Sequence, residues 1–301
     1  MKATLAILFL AALGGPIAAT NTGIAPTHAL VWNDFGAVLA VDGVAIMGGH
    51  DGVMTARFDK PQLQFTPLSY SYVSGPIKRL KQTDSLVVAQ SAAGSLYFYR
   101  RAALPELILL GTVTPQVEYE DFALMGTSLF LARGFEGVTQ YRVESYGKLT
   151  PVDSTVEPVH AIALETSADR LLVVDDYTGI FGYNPSPVSM GSPVIELNLT
   201  SPAGVMAIRD NVAFISLKSS AILKATVWPD SLVVTDTFPA YFSHSRLEVV
   251  DTFLVGTSSD GSGFDVVSLS HRQNLIFVDS GWDAFGAAVF SAGDSNYLTI
   301  P

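Results

Sequence analysis

The sequence predicts an all-β fold built from repeated four-stranded sheets. Three observations carry that prediction. Apolar runs pair across short Gly-containing turns, as in Asp84 to Tyr99, DSLVVAQSAAGSLYFY. The turn recurs at a nearly constant step along the chain. No helical periodicity appears beyond the first twenty residues, whereas Gly, Pro, Asp, Asn and Ser punctuate the joints between runs.

The step is read from the residue that closes each turn: Gly52, Gly94, Gly137, Gly179, Ala221 and Gly263. Successive intervals are 42, 43, 42, 42 and 42 residues. A second marker agrees, because Trp32-Asn33-Asp34-Phe35-Gly36-Ala37 resembles Trp282-Asp283-Ala284-Phe285-Gly286-Ala287. These segments lie 250 residues apart, close to six periods. Six full repeats are expected from about 35 to 284, with a partial seventh over 285–301.

Each repeat has room for four strands. In the second they fall near Ile77 to Lys81, Leu86 to Ala89, Leu96 to Arg100 and Ile108 to Val113. In the fourth they fall near Ala161 to Glu165, Leu171 to Val174, Ile180 to Tyr183 and Val194 to Leu199. The second strands are continuously apolar, the pattern of a strand buried on both faces. A lone hairpin would be marginal in water. Four strands in about 42 residues is the signature of a β-propeller blade, with seven blades expected and the last incomplete. Its first two strands are expected at Ala287 to Phe290 and Tyr297 to Ile300, and His28 to Trp32 is expected to supply its outermost strand. The missing strand suggests a sequence that continues past Pro301.

The first nineteen residues stand apart from this domain of 20–301. Met1-Lys2 is a short basic start, Leu5 to Leu13 an apolar core and Ile17-Ala18-Ala19 a small-residue cleavage site. That is the pattern of a secretory signal peptide, and it predicts export to the periplasm, cell surface or medium. Membrane insertion is not expected after its removal, because polar or breaking residues interrupt every later apolar span. There is no cysteine, which excludes disulfides and Cys-ligated metal. Without residues 1–19 the chain carries 16 basic and 28 acidic residues, a balance of −12 that argues against nucleic acid as a partner.

The repeat resembles the LVIVP-type β-propeller repeat of exported bacterial proteins. Leu171-Leu172-Val173-Val174-Asp175-Asp176-Tyr177-Thr178-Gly179-Ile180 is its best copy, and Pro185 and Pro187 fit the connection that follows. Ala132 to Val138 and Gly48 to Val53 are looser copies, and Lys218-Ser219-Ser220-Ala221 departs from the glycine turn. The resemblance implies a propeller at or outside the cell surface and transfers no catalytic residues.

In a propeller the turn between second and third strands shares a face with the connections between blades. The candidate binding rim is therefore His50, Asp51, Arg133, Glu136, Asp175, Asp176, Tyr177, Lys218 and Asp260 from the turns, with His160 and His244 from the connections. No cofactor is expected. The five histidines lack ligand spacing, and calcium is left open only by the carboxylates around Asp175 and Asp260-Gly261-Ser262-Gly263-Phe264-Asp265. No Gly-x-Ser-x-Gly elbow or triad is evident. Asp175-x-x-Thr178-Gly179-x-x-x-Tyr183 resembles the quinoprotein repeat, but it occurs once and has Tyr where that repeat has Trp. The sequence thus favours an exported, non-catalytic binding or scaffold module whose partner is a protein or a glycan. The alternatives are a propeller enzyme, such as a glycan lyase, hydrolase or quinoprotein-like dehydrogenase, and a purely structural module of a larger surface protein.

Overall fold

The computed structural model describes residues 5–9, 37–41, 43–59, 64–145, 147–250, 253–258, 263–269, 273–279, 288–292 and 295–300. The fold is a β-propeller of four-stranded antiparallel blades, six of them complete among the described residues. Within every blade the strands lie side by side in chain order. The chain divides into two compact units, Met1–Thr114 with Asp260–Phe264 and Ile276–Pro301, and Pro115–Ser259 with Asp265–Leu275.

The first unit holds two complete blades. One is Ala37–Val41, Val44–Gly48, Gly52–Asp59 and Gln64–Tyr72. The other is Ile77–Gln82, Leu86–Ser91, Leu96–Arg100 and Leu109–Val113, within a residue or two of the expected bounds. Ile46, Val53 and Leu39 of the first pack on Ile77, Val87, Ala89 and Tyr99 of the second. This unit also contains a three-stranded sheet. Ala288–Ala292 and Ser295–Ile300 pair antiparallel, where the partial seventh repeat was expected. Its third strand is Leu5–Phe9, which runs parallel to Ser295–Ile300. An unpaired strand edge is a template for another chain segment, and the N-terminal apolar run occupies that edge here. The segment His28 to Trp32 lies outside the described residues.

The second unit holds the third, fourth and fifth blades and the greater part of the sixth, of which residues 263–264 and 276–279 fall in the first unit. The third blade is Asp121–Met125, Ser128–Ala132, Val138–Ser145 and Lys148–Thr155. The fourth is Ala161–Ser167, Arg170–Asp175, Gly179–Tyr183 and Ile195–Asn198. The fifth is Ala203–Arg209, Val212–Leu217, Ala221–Val227 and Leu232–Pro239. The sixth is His244–Val250, Phe253–Ser258, Gly263–Ser268 and Gln273–Asp279.

The continuous apolar second strand is explained in the fourth blade. Leu171 and Val173 point to one side, among Phe130, Ala132 and Val138 of the third blade. Leu172 and Val174 point to the other, among Ala203, Ile215 and Ala225 of the fifth. Successive side chains of a strand face opposite ways, so a strand sandwiched between two blades must be apolar at every position. Each fully buried aliphatic side chain contributes roughly 1.5–3 kcal/mol.

The repeated turn glycine also has a local cause. Gly137 and Gly179 open third strands with φ of 73° and 140°. A Cβ at Gly137 would collide with the Thr155 carbonyl oxygen of the fourth strand, and one at Gly179 with that of Leu197. In the fifth blade Ala221 replaces the glycine, and the positive φ moves one residue back to Ser220, at 59°.

The two-sided burial predicts the effect of trimming one side chain. Leu172→Ala is expected to cost about 3 kcal/mol because it opens a cavity between the fourth and fifth blades. Leu172→Met, which conserves volume, should cost less than about 1.5 kcal/mol. Denaturant midpoints of the two variants check this, and equal losses would count against the packing described.

Candidate functional site

Three consecutive turns and one blade connection of the second unit converge on a single cluster. The turn of the fourth blade begins at Asp175, whose side chain is fully buried. Its Oδ1 accepts the backbone N–H groups of Tyr177 and Thr178 at 2.8 and 2.9 Å. Its Oδ2 accepts the N–H of His160 at 2.9 Å, across from the connection that enters the blade. One carboxylate therefore shapes its own turn and fixes the neighbouring connection, satisfying three N–H groups that would otherwise lack partners.

Asp176 joins the next parts. Its Oδ1 meets His160 Nδ1 at 2.6 Å, and its Oδ2 accepts a bond from Lys218 Nζ of the fifth blade at 2.7 Å. Burial opposes ionisation of Asp176, but the bonds from Lys218 and His160 outweigh it and hold its carboxyl below the ordinary carboxylate value. In the neutral ring, a carboxylate on Nδ1 places the proton there and makes Nε2 the hydrogen-bond acceptor.

The third blade supplies the remaining side. Gly134 and Ala161 exchange two backbone bonds of 3.0 Å, which lock its turn to the connection after His160. Gly134 has φ of 57° and no side chain, so the His160 Nε2 edge stays open beside it. Phe135 then packs against His160 with the rings tilted at 47° and their centroids 4.1 Å apart, and Tyr177 lies edge-on to His160 at 5.5 Å. Phe135 and Tyr177 are 5.9 Å apart. Both remain open to solvent, at 68% and 62% exposure. Arg133 flanks them, paired with Glu136 and bonded to Thr139 Oγ1 at 3.3 Å.

Of the expected rim residues, Arg133, Glu136, His160, Asp175, Asp176, Tyr177 and Lys218 are thus brought together. His50 and Asp51 are exposed in the first unit, where Tyr70 Oη donates to Asp51 Oδ1 at 2.7 Å. Asp260 lies outside the described residues. His244 differs from the surface position expected for it: it is 2% exposed, with Nδ1 at 2.8 Å from Ser216 Oγ and Nε2 at 2.9 Å from Asp265 Oδ2. Phe135 escaped sequence reasoning. The signal that finds it is the period itself, since Phe135 and Tyr177 are one blade apart at equivalent turn positions, as are Asp176 and Lys218, separated by 42 residues.

Two further carboxylates titrate unusually. Asp153, on the fourth strand of the third blade, accepts Met190 N–H and Ser189 Oγ, both at 2.9 Å, and is held below the ordinary range by those bonds. Glu248, on the first strand of the sixth blade, is pushed up to about 7 by burial, with Glu165 adding to the shift and Arg246 opposing it. Among the described residues no group of three or more His, Asp or Glu side chains could hold a metal ion, and no helix is long and apolar enough to cross a membrane.

No protein-family model matches the chain, and no curated protein sequence does. Solved structures do. The computationally designed Ika8 protein is 12% identical with a TM-score of 0.58, covering 89% of this chain and 96% of its own. A functionally unknown protein from Desulfotomaculum acetoxidans DSM 771 is 9% identical with a TM-score of 0.68, covering 89% of this chain and 90% of its own. At such identities the likeness is one of fold alone.

The lowered carboxyls of Asp176 and Asp153 set the sign of the acid response. As pH falls the unfolded chain takes up these protons first, near the ordinary value of roughly 3.9. Their contribution to stability is therefore complete above roughly pH 4 and is lost as pH drops through the depressed native values. Asp176→Asn should melt lower than wild type at pH 6 and lose less stability between pH 4 and pH 2, as read by circular dichroism. Parallel melting profiles would contradict the assignment.

Proposed function

We propose that this protein is an exported, non-catalytic binding module whose recognition surface is the end of the second unit carrying the third, fourth and fifth turns. The observation that carries the reading is the pair of exposed aromatic rings, Phe135 and Tyr177, held against His160 by buried bonds. Large apolar rings held at a surface cost solvation and are typical of binding anchors. The surrounding bonds fix them in advance, which lowers the ordering cost of association. Export rests on the signal-peptide pattern of residues 1–19, whose cleavage would take Leu5–Phe9 away from the edge of Ser295–Ile300.

The His160–Asp176 pair is the one arrangement that favours an enzyme. Such a pair activates a nucleophile only when a hydroxyl or thiol reaches the other ring nitrogen. Here the neighbours of that edge are Gly134 and the Phe135 ring. The pair therefore serves better to orient a hydrogen-bond acceptor at a binding surface.

A matrix bearing the wild-type protein is expected to retain a ligand from an extract of the native producer. The double variant Phe135→Ala/Tyr177→Ala should retain at least about thirtyfold less, the loss of an anchor contribution of roughly 2 kcal/mol. Its melting temperature should stay within about 2 °C of wild type, since both rings are exposed. Equal retention by the two proteins would sink the reading.

A further inference from the structure

We propose that the ligand of this surface is a neutral, hydroxyl-rich glycan, seated with the C–H face of a sugar ring on Tyr177 and Phe135 and one hydroxyl donated to His160 Nε2. The inference rests on the binding reading above and adds the chemical class.

Charge is the first argument. Arg133 is matched by Glu136 and Lys218 by Asp176, whose other oxygen takes the His160 ring N–H, and Asp175 is consumed by three backbone N–H groups. A charged ligand group would have to break one of these pairs or go uncompensated, and either disfavours binding. The net charge of −11 further disfavours a polyanion.

Hydrogen-bond polarity is the second. With its proton on Nδ1 toward Asp176, His160 offers an acceptor at Nε2. Gly134 leaves the approach to that atom open, since a Cβ there would stand 3.3 Å from it. The ligand must bring a donor, and an aliphatic hydroxyl is a neutral one. Lys218, its side chain 48% exposed, has further N–H groups to offer a hydroxyl oxygen.

Shape is the third. Phe135 and Tyr177 present two tilted faces, at 42° and 5.9 Å between centroids. A pyranose has an apolar C–H face and a rim of hydroxyls, which matches apolar rings edged by polar atoms.

The test is a titration of the intact, isotope-labelled protein followed by amide NMR. The probes are neutral hexasaccharides of glucose, N-acetylglucosamine, mannose and xylose, with a heparin hexasaccharide as the charged comparison. At least one neutral probe should give saturable shifts at Gly134, His160 and Tyr177. Tyr177→Ala should weaken it at least about tenfold. His160→Phe, which keeps the ring and removes the acceptor, should weaken it by about tenfold, and His160→Gln, which restores an acceptor, should recover part of the loss. Binding of heparin alone overturns the proposal, as do shifts confined to other residues or unchanged binding by Tyr177→Ala. If no neutral probe binds while the wild-type matrix still retains its extract ligand, the glycan assignment falls and the binding reading stands. If retention is absent as well, both fall.

Discussion

The structure depends on one constraint: the blades of the second unit bury both faces of their sheets. Leu171 and Val173 belong to the third blade's core, and Leu172 and Val174 to the fifth's. Such a sheet has no polar face to spare, so the soluble, chemically varied residues are forced to strand ends and turns. That is why the candidate site is made of turns and a connection, with no strand interior contributing a side chain.

Forcing function into turns creates a second requirement. A turn between buried strands still carries backbone N–H groups that need partners. Asp175 meets that need at the candidate site, and two more buried carboxylates satisfy other backbone N–H groups of the second unit. Asp175 binds its own turn and the His160 connection, while Asp121 bonds Phe122 N and Leu164 N of the next blade. Asp265 holds the Tyr241 and Phe242 N–H groups at 3.0 and 3.2 Å. A buried carboxylate is expensive unless bonded several times over, and each of these is. Asp175 thereby fixes the Tyr177 turn and the His160 connection from beneath, and the Gly134–Ala161 backbone bonds do the same for the turn carrying Phe135.

The blades were legible in the sequence because both of their signals are local. Two-face burial writes uninterrupted aliphatic runs, and contact of the third strand with the fourth strand's carbonyl demands glycine at one position, as at Gly137 and Gly179. The site was legible only by residue type. Asp175, Asp176 and Tyr177 are adjacent in the chain, but His160 reaches them through a connection and Lys218 through the next blade. Periodicity alone says which residues share an end of a blade. It does not say which side chains turn toward each other, and that choice is made by packing around Gly134.

His160 and His244 show how depth decides the meaning of one residue type. His244 lies between Ser216 and Asp265, the three residue types of a hydrolytic triad, yet all three are buried, at 2%, 0% and 0% exposure. The contacts also run the other way from a nucleophilic triad, with Asp265 on Nε2 and Ser216 on Nδ1. Gly256 is required beside the ring, since a Cβ there would overlap it. A serine without access to solvent has no substrate to attack, so the network's consequence is structural: it closes the polar balance beneath the connection that carries Tyr241. His160 has the same carboxylate partner type, but with a side chain 22% exposed it keeps its second nitrogen beside an open edge. A carboxylate–histidine pair becomes part of a recognition surface only where the fold leaves that second nitrogen unspent, and in this unit the glycine at 134 is what leaves it so.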